Sequence, residues 1–325
     1  MERKVEKVIK DIKALKIQGA RNIAKAVVNA IILQIQKSKA KTLDELYSEL
    51  LVVSEALASA RPTEPMVRNA VGEIARFAFS QIKTGGVRNA KELREKVVTK
   101  EKEYLKKMDE NAKALIEYGA KLIPEGAVVM THCHSSTVTG ILKRAAEMGN
   151  QIEVFACETR PRYQGRITAK ELVDADIKVS LIVDSAMNSF MKKAEICLVG
   201  ADAITSRGDL INKIGTSTLA HIAEMHDVSF YSAAELYKYS PISLFGNLEK
   251  IEERDSKEVW DKPPKGLVVR NPAFDVTAAQ YINGYITEAG VVPPQSLFTI
   301  ASKQLGIEIR KNDNSFLSFN SSSEK

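Results

Sequence analysis

Residues 127–140 read AVVMTHCHSSTVTG, and this stretch decides the fold class. It begins with the short apolar run Ala127–Thr131, which is typical of a strand buried on both faces of a parallel sheet. The run ends in a polar turn at Cys133, where Ser135 or Ser136 can cap the start of a helix. The stretch therefore predicts a strand followed by a helix over residues 136–148.

The same alternation continues to the end of the chain. Further strands are predicted at Ile152–Ala156, Val179–Val183, Ile196–Val199, Val228–Tyr231 and Leu267–Val269. The helices between them are predicted at 168–175, 187–193 and 215–226. Strands that alternate with helices in this way predict an α/β domain with a doubly wound parallel sheet over residues 122–325.

The pattern before this domain is helical. Apolar residues recur at helical spacing in VEKVIKDIKAL, in ARNIAKAVVNAIILQIQ and in LDELYSELLVVSEALASA, and no segment reads as a strand. Thr42, with Glu45 three residues later, forms a capping box. We predict an all-helical domain over residues 1–121. The Ser-rich tail, 312–325, is expected to fray.

The composition favours a cytoplasmic protein with a sizeable core. The chain has 325 residues, 44% of them hydrophobic, but no apolar run near the ~18 residues of a membrane span. Its charged N-terminus lacks the apolar segment of a secretory signal. The three cysteines form no disulfide framework. The net charge of +6 allows an anionic partner, although the charges are interleaved as on solvated helix faces.

Reactive or charged residues follow four of the predicted strands. Cys133 follows the first strand, Glu158 and Arg160 the second, Asp184 the third and Asp202 the fourth. Ligands of open α/β sheets bind beyond the carboxyl ends of the strands. The four strand ends therefore predict the rim of an active site.

Cys133 has two interpretations. It is either an inert buried cysteine or a thiol whose pKa is lowered by the helix N-terminus and nearby cations. Cys157 and Cys197 lie in or beside strands and are expected to be inert. A metal site at His132–His134 is not expected, because the HCH spacing is not a usual zinc-ligand spacing such as CxxC or HxxxH. We expect neither a metal nor a cofactor.

The stretch 200–220, GADAITSRGDLINKIGTSTLA, predicts an anion site. A polar loop through Asn212 and Lys213 leads to Gly215 at a helix start, where free amides attract anions. The Walker pattern GxxxxGK[ST] is absent, and an ordinary capped loop with a solvated lysine is the alternative. Gly19 with Arg21 at another helix start, Arg61 in an interhelical loop, and Arg160 add further anion-binding groups. Together they predict a polyanionic small ligand. A nucleic acid is not expected, since no aromatic residues interleave with these charges.

These motifs resemble one superfamily in their order along the chain. GAR, RPT, the strand-end cysteine, CETRPRYQGRITAKEL, DSA, GADAI, INKIGT and NPAFDVT are similar to motifs of the initiation factor 2B regulatory subunits and two groups of sugar-phosphate isomerases. The isomerases act on methylthioribose 1-phosphate or, in archaea, on ribose 1,5-bisphosphate. The wording of THCHSSTVTG and ETRPRYQGR most resembles the archaeal ribose-1,5-bisphosphate isomerases.

The resemblance implies a helical domain, a Rossmann-like domain and an enzyme without cofactors that produces ribulose 1,5-bisphosphate. Cys133 and Asp202 match the catalytic pair of the isomerases. By the same resemblance, the enzyme belongs to AMP breakdown and supplies a carboxylase. Substrate binding is expected from one cluster in the helical domain and one in the α/β domain. The matching residues are Gly19, Ala20, Arg21, Arg61, Ser135, Arg160, Asn212, Lys213 and Lys238.

The resemblance also implies a dimer-based homo-oligomer, with a hexamer as one option, and a site between the two domains. Two alternatives stay open. The chain could be a regulatory subunit of the initiation factor 2B type, which has no need of the Cys133–Asp202 pair, or a methylthioribose-1-phosphate isomerase, which needs only one phosphate site.

Overall fold

The computed structural model describes residues 1–245 and 249–306, so the predicted frayed tail lies outside the described residues. The chain divides into two compact units. One unit contains residues 1–110 together with the described residues from Ser302 onward, and the other contains residues 111–301. No described helix is long and apolar enough to cross a membrane.

Five helices occupy the first 122 residues, as the periodicity predicts. They are α1 (Arg3–Lys13), α2 (Ala20–Lys37), α3 (Leu43–Ala58), α4 (Pro65–Lys83) and α5 (Ala90–Leu122). The predicted capping box is present at α3, where the Thr42 hydroxyl accepts a hydrogen bond from the backbone N–H of Glu45 and the Glu45 carboxylate accepts one from Thr42. Helices α2, α3 and α4 pack against one another through their buried aliphatic faces.

A seven-stranded sheet forms the centre of the second unit. Its strands are β1 (Val128–His132), β2 (Glu153–Cys157), β3 (Lys178–Ile182), β4 (Ile196–Val199), β7 (Ser229–Ala233), β9 (Gly284–Thr287) and β10 (Gly290–Val292). They lie in the order β10-β9-β7-β4-β1-β2-β3, and only β10 is antiparallel to its neighbour. The intervening helices are α6 (Ser136–Glu147), α7 (Gln164–Val173), α8 (Met187–Met191) and α9 (Thr216–Met225), and α10 (Leu297–Leu305) ends the described chain.

The chain enters a second, three-stranded sheet directly after β4. It contains β5 (Ala203–Ile204), β6 (Leu210–Lys213) and β8 (Phe274–Thr277) in the antiparallel order β5-β6-β8. The sequence suggested a polar loop for Asn212 and Lys213, and this interpretation is wrong. Both residues are instead buried in β6. This strand pairs with β8, with Lys213 opposite Phe274, and the pairing provides hydrogen-bond partners for the backbone groups there.

The first four predicted strands are found within one residue of their observed bounds. The predicted strand Leu267–Val269 is wrong, because this segment is irregular and Leu267 and Val268 are exposed. Helix α7 begins four residues earlier than predicted, at Gln164. This start requires Gly165, because a Cβ atom there would lie 1.7 Å from the carbonyl oxygen of Cys157.

Candidate functional site

The site lies where β1 and β4 run side by side in the middle of the sheet. The chain leaves β1 through Cys133 and leaves β4 through Gly200 towards Asp202. The two strand ends touch, since a Cβ atom on Gly200 would lie 2.8 Å from the Cβ of Ser135. Ser135 is the N-cap of α6, and its hydroxyl accepts a hydrogen bond from Val138 N–H at 3.5 Å. The sheet therefore brings the predicted catalytic pair to one edge.

The backbone of Cys133 is held in a left-handed conformation, with φ of 68°. Its N–H donates to the hydroxyl of Thr159 at 2.8 Å, and its carbonyl accepts from the hydroxyl of Thr168 at 2.9 Å. Thr159 is itself anchored, because its N–H donates to Asp184 Oδ1 at 2.8 Å. The two threonine hydroxyls thus hold Cys133 in a left-handed conformation, which is energetically unfavourable for a residue with a Cβ atom. They also set the direction of the thiol.

Charges of both signs surround the Cys133 thiol. Burial raises its pKa to about 11, and the cations of Lys213 and Arg254 oppose that rise while Asp202 adds to it. The sequence suggested that the helix N-terminus and cations would lower this pKa. Burial outweighs them, so the thiol is protonated at neutral pH.

Lys213 is the buried cation of this group. Burial lowers the pKa of its ammonium, while Cys133 and Asp202 act in the opposite direction. Its Nζ lies 5.1 Å from the ring centroid of Phe274, its partner across the strand pair. Because it is buried, the Lys213 ammonium has no shell of bulk water around it and can contact an anionic ligand directly.

Asn212 and Lys238, both buried, support the same edge. The Asn212 side-chain amide donates to the hydroxyl of Thr216 at 3.0 Å. The Lys238 ammonium donates to the carbonyl oxygen of Ala201 at 2.7 Å, directly before Asp202 in the chain. Both side chains are therefore engaged in holding local backbone and side-chain groups in the ligand-free protein.

The N-terminus of α9 differs from the expectation of free amides. The carboxylate of Asp275, from the NPAFDVT motif, accepts hydrogen bonds from Gly215 N–H at 2.7 Å and from Ser217 N–H at 3.1 Å. A side-chain anion thus already occupies the position that the sequence suggested for a ligand. The anion-binding groups that remain near Cys133 are side-chain cations rather than this helix end.

Arg160 is not among the charges that act on Cys133. Its guanidinium donates to the Tyr163 hydroxyl at 2.6 Å and to the carbonyl of Val259 at 3.1 Å. It lines a cavity of about 290 Å³ together with His132, Asp184, Gly215, Arg270 and Asn271. The structure therefore places Arg160 beside the neighbouring His132 rather than with Lys213.

The predicted residues of the helical unit lie at its helix starts and loops. Gly19 is the N-cap of α2, with φ of 82°, and Ala20 is the first residue of that helix. Arg21 pairs with Asp109 at 2.6 Å and donates to the carbonyl of Met108. Arg61 is buried between α3 and α4, with Nε 3.8 Å from Glu64.

The two histidines beside Cys133 have structural partners. His132 Nε2 lies 2.8 Å from the Ile214 carbonyl, which assigns the proton to Nε2. His134 Nδ1 lies 3.1 Å from the Thr168 hydroxyl, which itself holds the Cys133 carbonyl. Burial lowers the pKa of both imidazoles, so both are neutral at pH 7. Their positions fit support of the Cys133 turn.

One group of side chains resembles a metal site. Donor atoms of His132, Cys157 and Asp184 lie within 4.8 Å of one another. Burial raises the pKa of Cys157 to about 12, and both carboxylate oxygens of Asp184 accept backbone N–H bonds from Thr159 and Arg160. A metal would have to displace these bonds and deprotonate the thiol, which disfavours it.

Sequence reasoning missed Arg254, Thr159 and Thr168. Thr159 stands inside the noted ETR motif, so its closeness to a strand end was a usable signal. Thr168 follows the first turn of α7, which the sequence placed too late. Arg254 comes from an irregular segment between β7 and β8, where periodicity gives no signal.

Comparison with known proteins assigns the chain to a family. The profile of the initiation factor 2 subunit family matches residues 16–294. The chain belongs to this family. Among the family's relatives, ribose 1,5-bisphosphate isomerase of Pyrococcus furiosus is 41% identical over 94% of this chain and 95% of its own length.

Solved structures of the same family agree with the fold. Translation initiation factor eIF-2B from Pyrococcus horikoshii OT3 gives a TM-score of 0.76 at 30% identity, over 90% of this chain and 98% of the other. The 5-methylthioribose 1-phosphate isomerase from the same organism gives 0.74 at 30% identity, over 93% and 87%. The family thus includes both isomerases and initiation factors, and the site has to distinguish between them.

Proposed function

We propose that this protein is a ribose 1,5-bisphosphate isomerase. The observation that carries the proposal is Cys133 at a strand end, with Asp202 and the buried Lys213 acting on its thiol, in a chain whose relatives include enzymes of that name. An initiation factor subunit that acts through protein contacts has no use for a buried thiol, carboxylate and cation at one edge of the sheet.

The reaction needs four proton movements that balance in pairs. Cys133 as thiolate removes the proton from C2 and later delivers it to C1. Asp202 as acid donates a proton to the ring oxygen when the bond from C1 to that oxygen breaks, and it then accepts the proton of the C2 hydroxyl. The intermediate is a phosphoenolate that keeps its phosphate, and the product is ribulose 1,5-bisphosphate. Cys133 ends as the thiolate and Asp202 as the carboxylic acid, the forms in which they begin the cycle.

Because burial keeps the thiol protonated at neutral pH, forming the thiolate is part of the catalytic task. Lys213 and Arg254 both favour the thiolate. The phosphates of the substrate are assigned, as a proposal, to one cluster of Gly19, Ala20, Arg21 and Arg61 and a second that includes Ser135, Asn212, Lys213 and Lys238. Arg160 already donates hydrogen bonds to Tyr163 and Val259, so it is the member of the second cluster that the geometry supports least.

The strand order supports the Rossmann-like part of the proposal. The parallel strands, renumbered along the chain as 1 to 6, have the order 3-2-1-4-5-6, and Cys133 and Asp202 follow strands 1 and 4, where the order reverses. Ligands of such sheets bind at this reversal. The division into domains 1–121 and 122–325, the homo-oligomer and the cytoplasmic location remain parts of the proposal.

A substrate panel tests the proposal. Purified protein receives ribose 1,5-bisphosphate, methylthioribose 1-phosphate or ribose 5-phosphate, and ribulose 1,5-bisphosphate is measured by coupling to a ribulose-bisphosphate carboxylase. We expect turnover of ribose 1,5-bisphosphate only. Turnover of methylthioribose 1-phosphate, measured by formation of its ketose product, would instead assign the protein to the methylthioribose-1-phosphate isomerases, which have a similar fold.

A further inference from the structure

Arg254 is a buried arginine near Cys133 whose hydrogen-bonding capacity is largely unused. Its side chain is 8% exposed, and Nε lies 3.6 Å from a carboxylate oxygen of Glu252. Neither Nε nor Nη1 makes a hydrogen bond to any described residue. A buried guanidinium without hydrogen bonds is costly, so these two N–H groups call for an acceptor.

The backbone fixes the direction of this side chain. Arg254 N–H donates to the carbonyl of Asn271 at 2.9 Å, and Ala273 N–H donates to the carbonyl of Glu252 at 2.8 Å. The segment therefore runs alongside the chain that leads into β8, and alternate side chains point to opposite sides. Glu252 and Arg254 point inward, while Glu253 points outward and binds the exposed Arg270 through two contacts of 3.1 Å.

Arg254 and Lys213 lie on the same aromatic ring and act on the same thiol. The guanidinium carbon is 5.9 Å from the ring centroid of Phe274, and Lys213 Nζ is 5.1 Å from it. Each cation lowers the pKa of Cys133, and Arg254 also lowers that of Lys213, so the two cations repel each other inside the site. A doubly charged anion between them would relieve this repulsion.

We propose that Arg254 binds a phosphate group of the substrate beside Cys133, donating hydrogen bonds from its buried guanidinium, while Lys213 contributes the second positive charge. This proposal rests on the proposed function and adds a substrate-binding residue to it. Arginine suits the role because its planar fork matches two phosphate oxygens, which lysine cannot do.

The test compares Arg254→Gln and Arg254→Lys with the control Arg270→Gln, which changes the exposed arginine bound to the outward-pointing Glu253. KM and kcat for ribose 1,5-bisphosphate are measured, together with the thermal shift produced by ribulose 1,5-bisphosphate, which reports binding without turnover. We expect Arg254→Gln to raise KM and the half-saturating concentration of the thermal shift about 10- to 100-fold. Arg254→Lys should give an intermediate value, and Arg270→Gln should match the wild type.

Three outcomes would overturn the proposal. If Arg254→Gln leaves KM and ligand binding unchanged and alters only kcat or the pH profile of Cys133 alkylation, Arg254 acts on the thiolate and not on the substrate. If wild-type protein turns over ribose 1,5-bisphosphate and all three variants bind equally, the inference fails while the proposed function stands. Absence of both turnover and thermal shift in the wild type would overturn the two together. If Arg254→Gln does not fold, Arg254→Lys decides alone, because it keeps the buried charge and loses only the fork.

Discussion

Cys133 and Cys157 mark the ends of two neighbouring parallel strands, yet their surroundings differ. Cys157 is the last residue of β2, fully buried, and its pKa is raised to about 12 by burial and the nearby Asp184. Cys133 lies one residue beyond β1, half-buried, in a left-handed conformation held by Thr159 and Thr168. The comparison indicates that one residue of displacement past a strand end separates a packed thiol from one presented to a site.

The cations complete this difference. Lys213 and Arg254 act on Cys133, whereas the charge that acts on Cys157 is the carboxylate of Asp184. A neighbouring cation favours a thiolate and a neighbouring carboxylate opposes it. Cys133, which is also near the carboxylate of Asp202, therefore has two cations that favour its thiolate, whereas the charge acting on Cys157 opposes one.

We expect the largest effect when sulfur is replaced by oxygen at Cys133 and at Cys157. Cys133→Ser should lower kcat for ribose 1,5-bisphosphate by about 10²- to 10⁴-fold, because serine cannot serve as the base at C2. Cys157→Ser should keep turnover and instead lower the melting temperature, because it buries a hydroxyl in a packed strand. Steady-state assays and thermal melts check both. Equal losses of activity in the two variants would remove the distinction between the strand ends.

Alkylation over a range of pH compares the reactivity of the cysteine thiols without a mutation. The thiolate is the reactive form, and below a thiol pKa its fraction rises about tenfold per pH unit. With a pKa raised to about 11, the iodoacetamide reaction of Cys133 should accelerate about 100-fold from pH 7 to pH 9. Cys157 and Cys197, which are buried and have still higher pKa values, should stay unlabelled in peptide mass spectra. A flat profile for Cys133 would mean that its thiol is already ionised at pH 7.

Much of this contrast was readable in the sequence, and the part that was not has a physical cause. The apolar runs before Cys133 and Asp202 predicted two strand ends, because strands buried on both faces are apolar at nearly every position. Strands β8 and β9 were missed, since FDVT and GYIT are short and mix polar residues with apolar ones. Leu267–Val269 has strand propensity, but no neighbouring strand pairs with it.

The residues of the site divide in the same way, into those that local sequence signals indicate and those that depend on distant contacts. Local signals indicated Cys133 and Asp202, but the state of the thiol depends on burial, which one strand does not reveal. Lys213 was expected in a loop and is buried by its pairing with β8, about 60 residues later in the chain. Arg254 depends on that same distant pairing, through the segment that precedes β8. Contacts between residues far apart in sequence determine the electrostatics, and periodicity within a short window does not contain them.

Removal of one cation tests whether charge separates the two thiols. Lys213→Met keeps the volume of the buried side chain and removes its charge, so the pKa of Cys133 should rise further. At pH 8 we expect alkylation of Cys133 to slow by about three- to tenfold. Cys157 should stay unlabelled in both the wild type and the variant, which checks that the substitution has not opened the packed strands. An unchanged rate in Lys213→Met would leave the conformation of Cys133 as the main difference between the thiols.

The smallest expected effect tests that conformation directly. Thr159→Val removes the hydroxyl that accepts the Cys133 N–H at 2.8 Å, and one hydrogen bond of this kind contributes about 0.5–1.5 kcal/mol. We therefore expect kcat to fall about two- to tenfold and Thr159→Ser to restore it, because serine keeps the hydroxyl. Thr277→Val is the matched control, since the Thr277 hydroxyl is buried and makes no hydrogen bond to a described residue. If the serine variant is as slow as the valine variant, the methyl packing of Thr159, and not its hydroxyl, holds the thiol in place, and the left-handed turn no longer explains why Cys133 differs from Cys157.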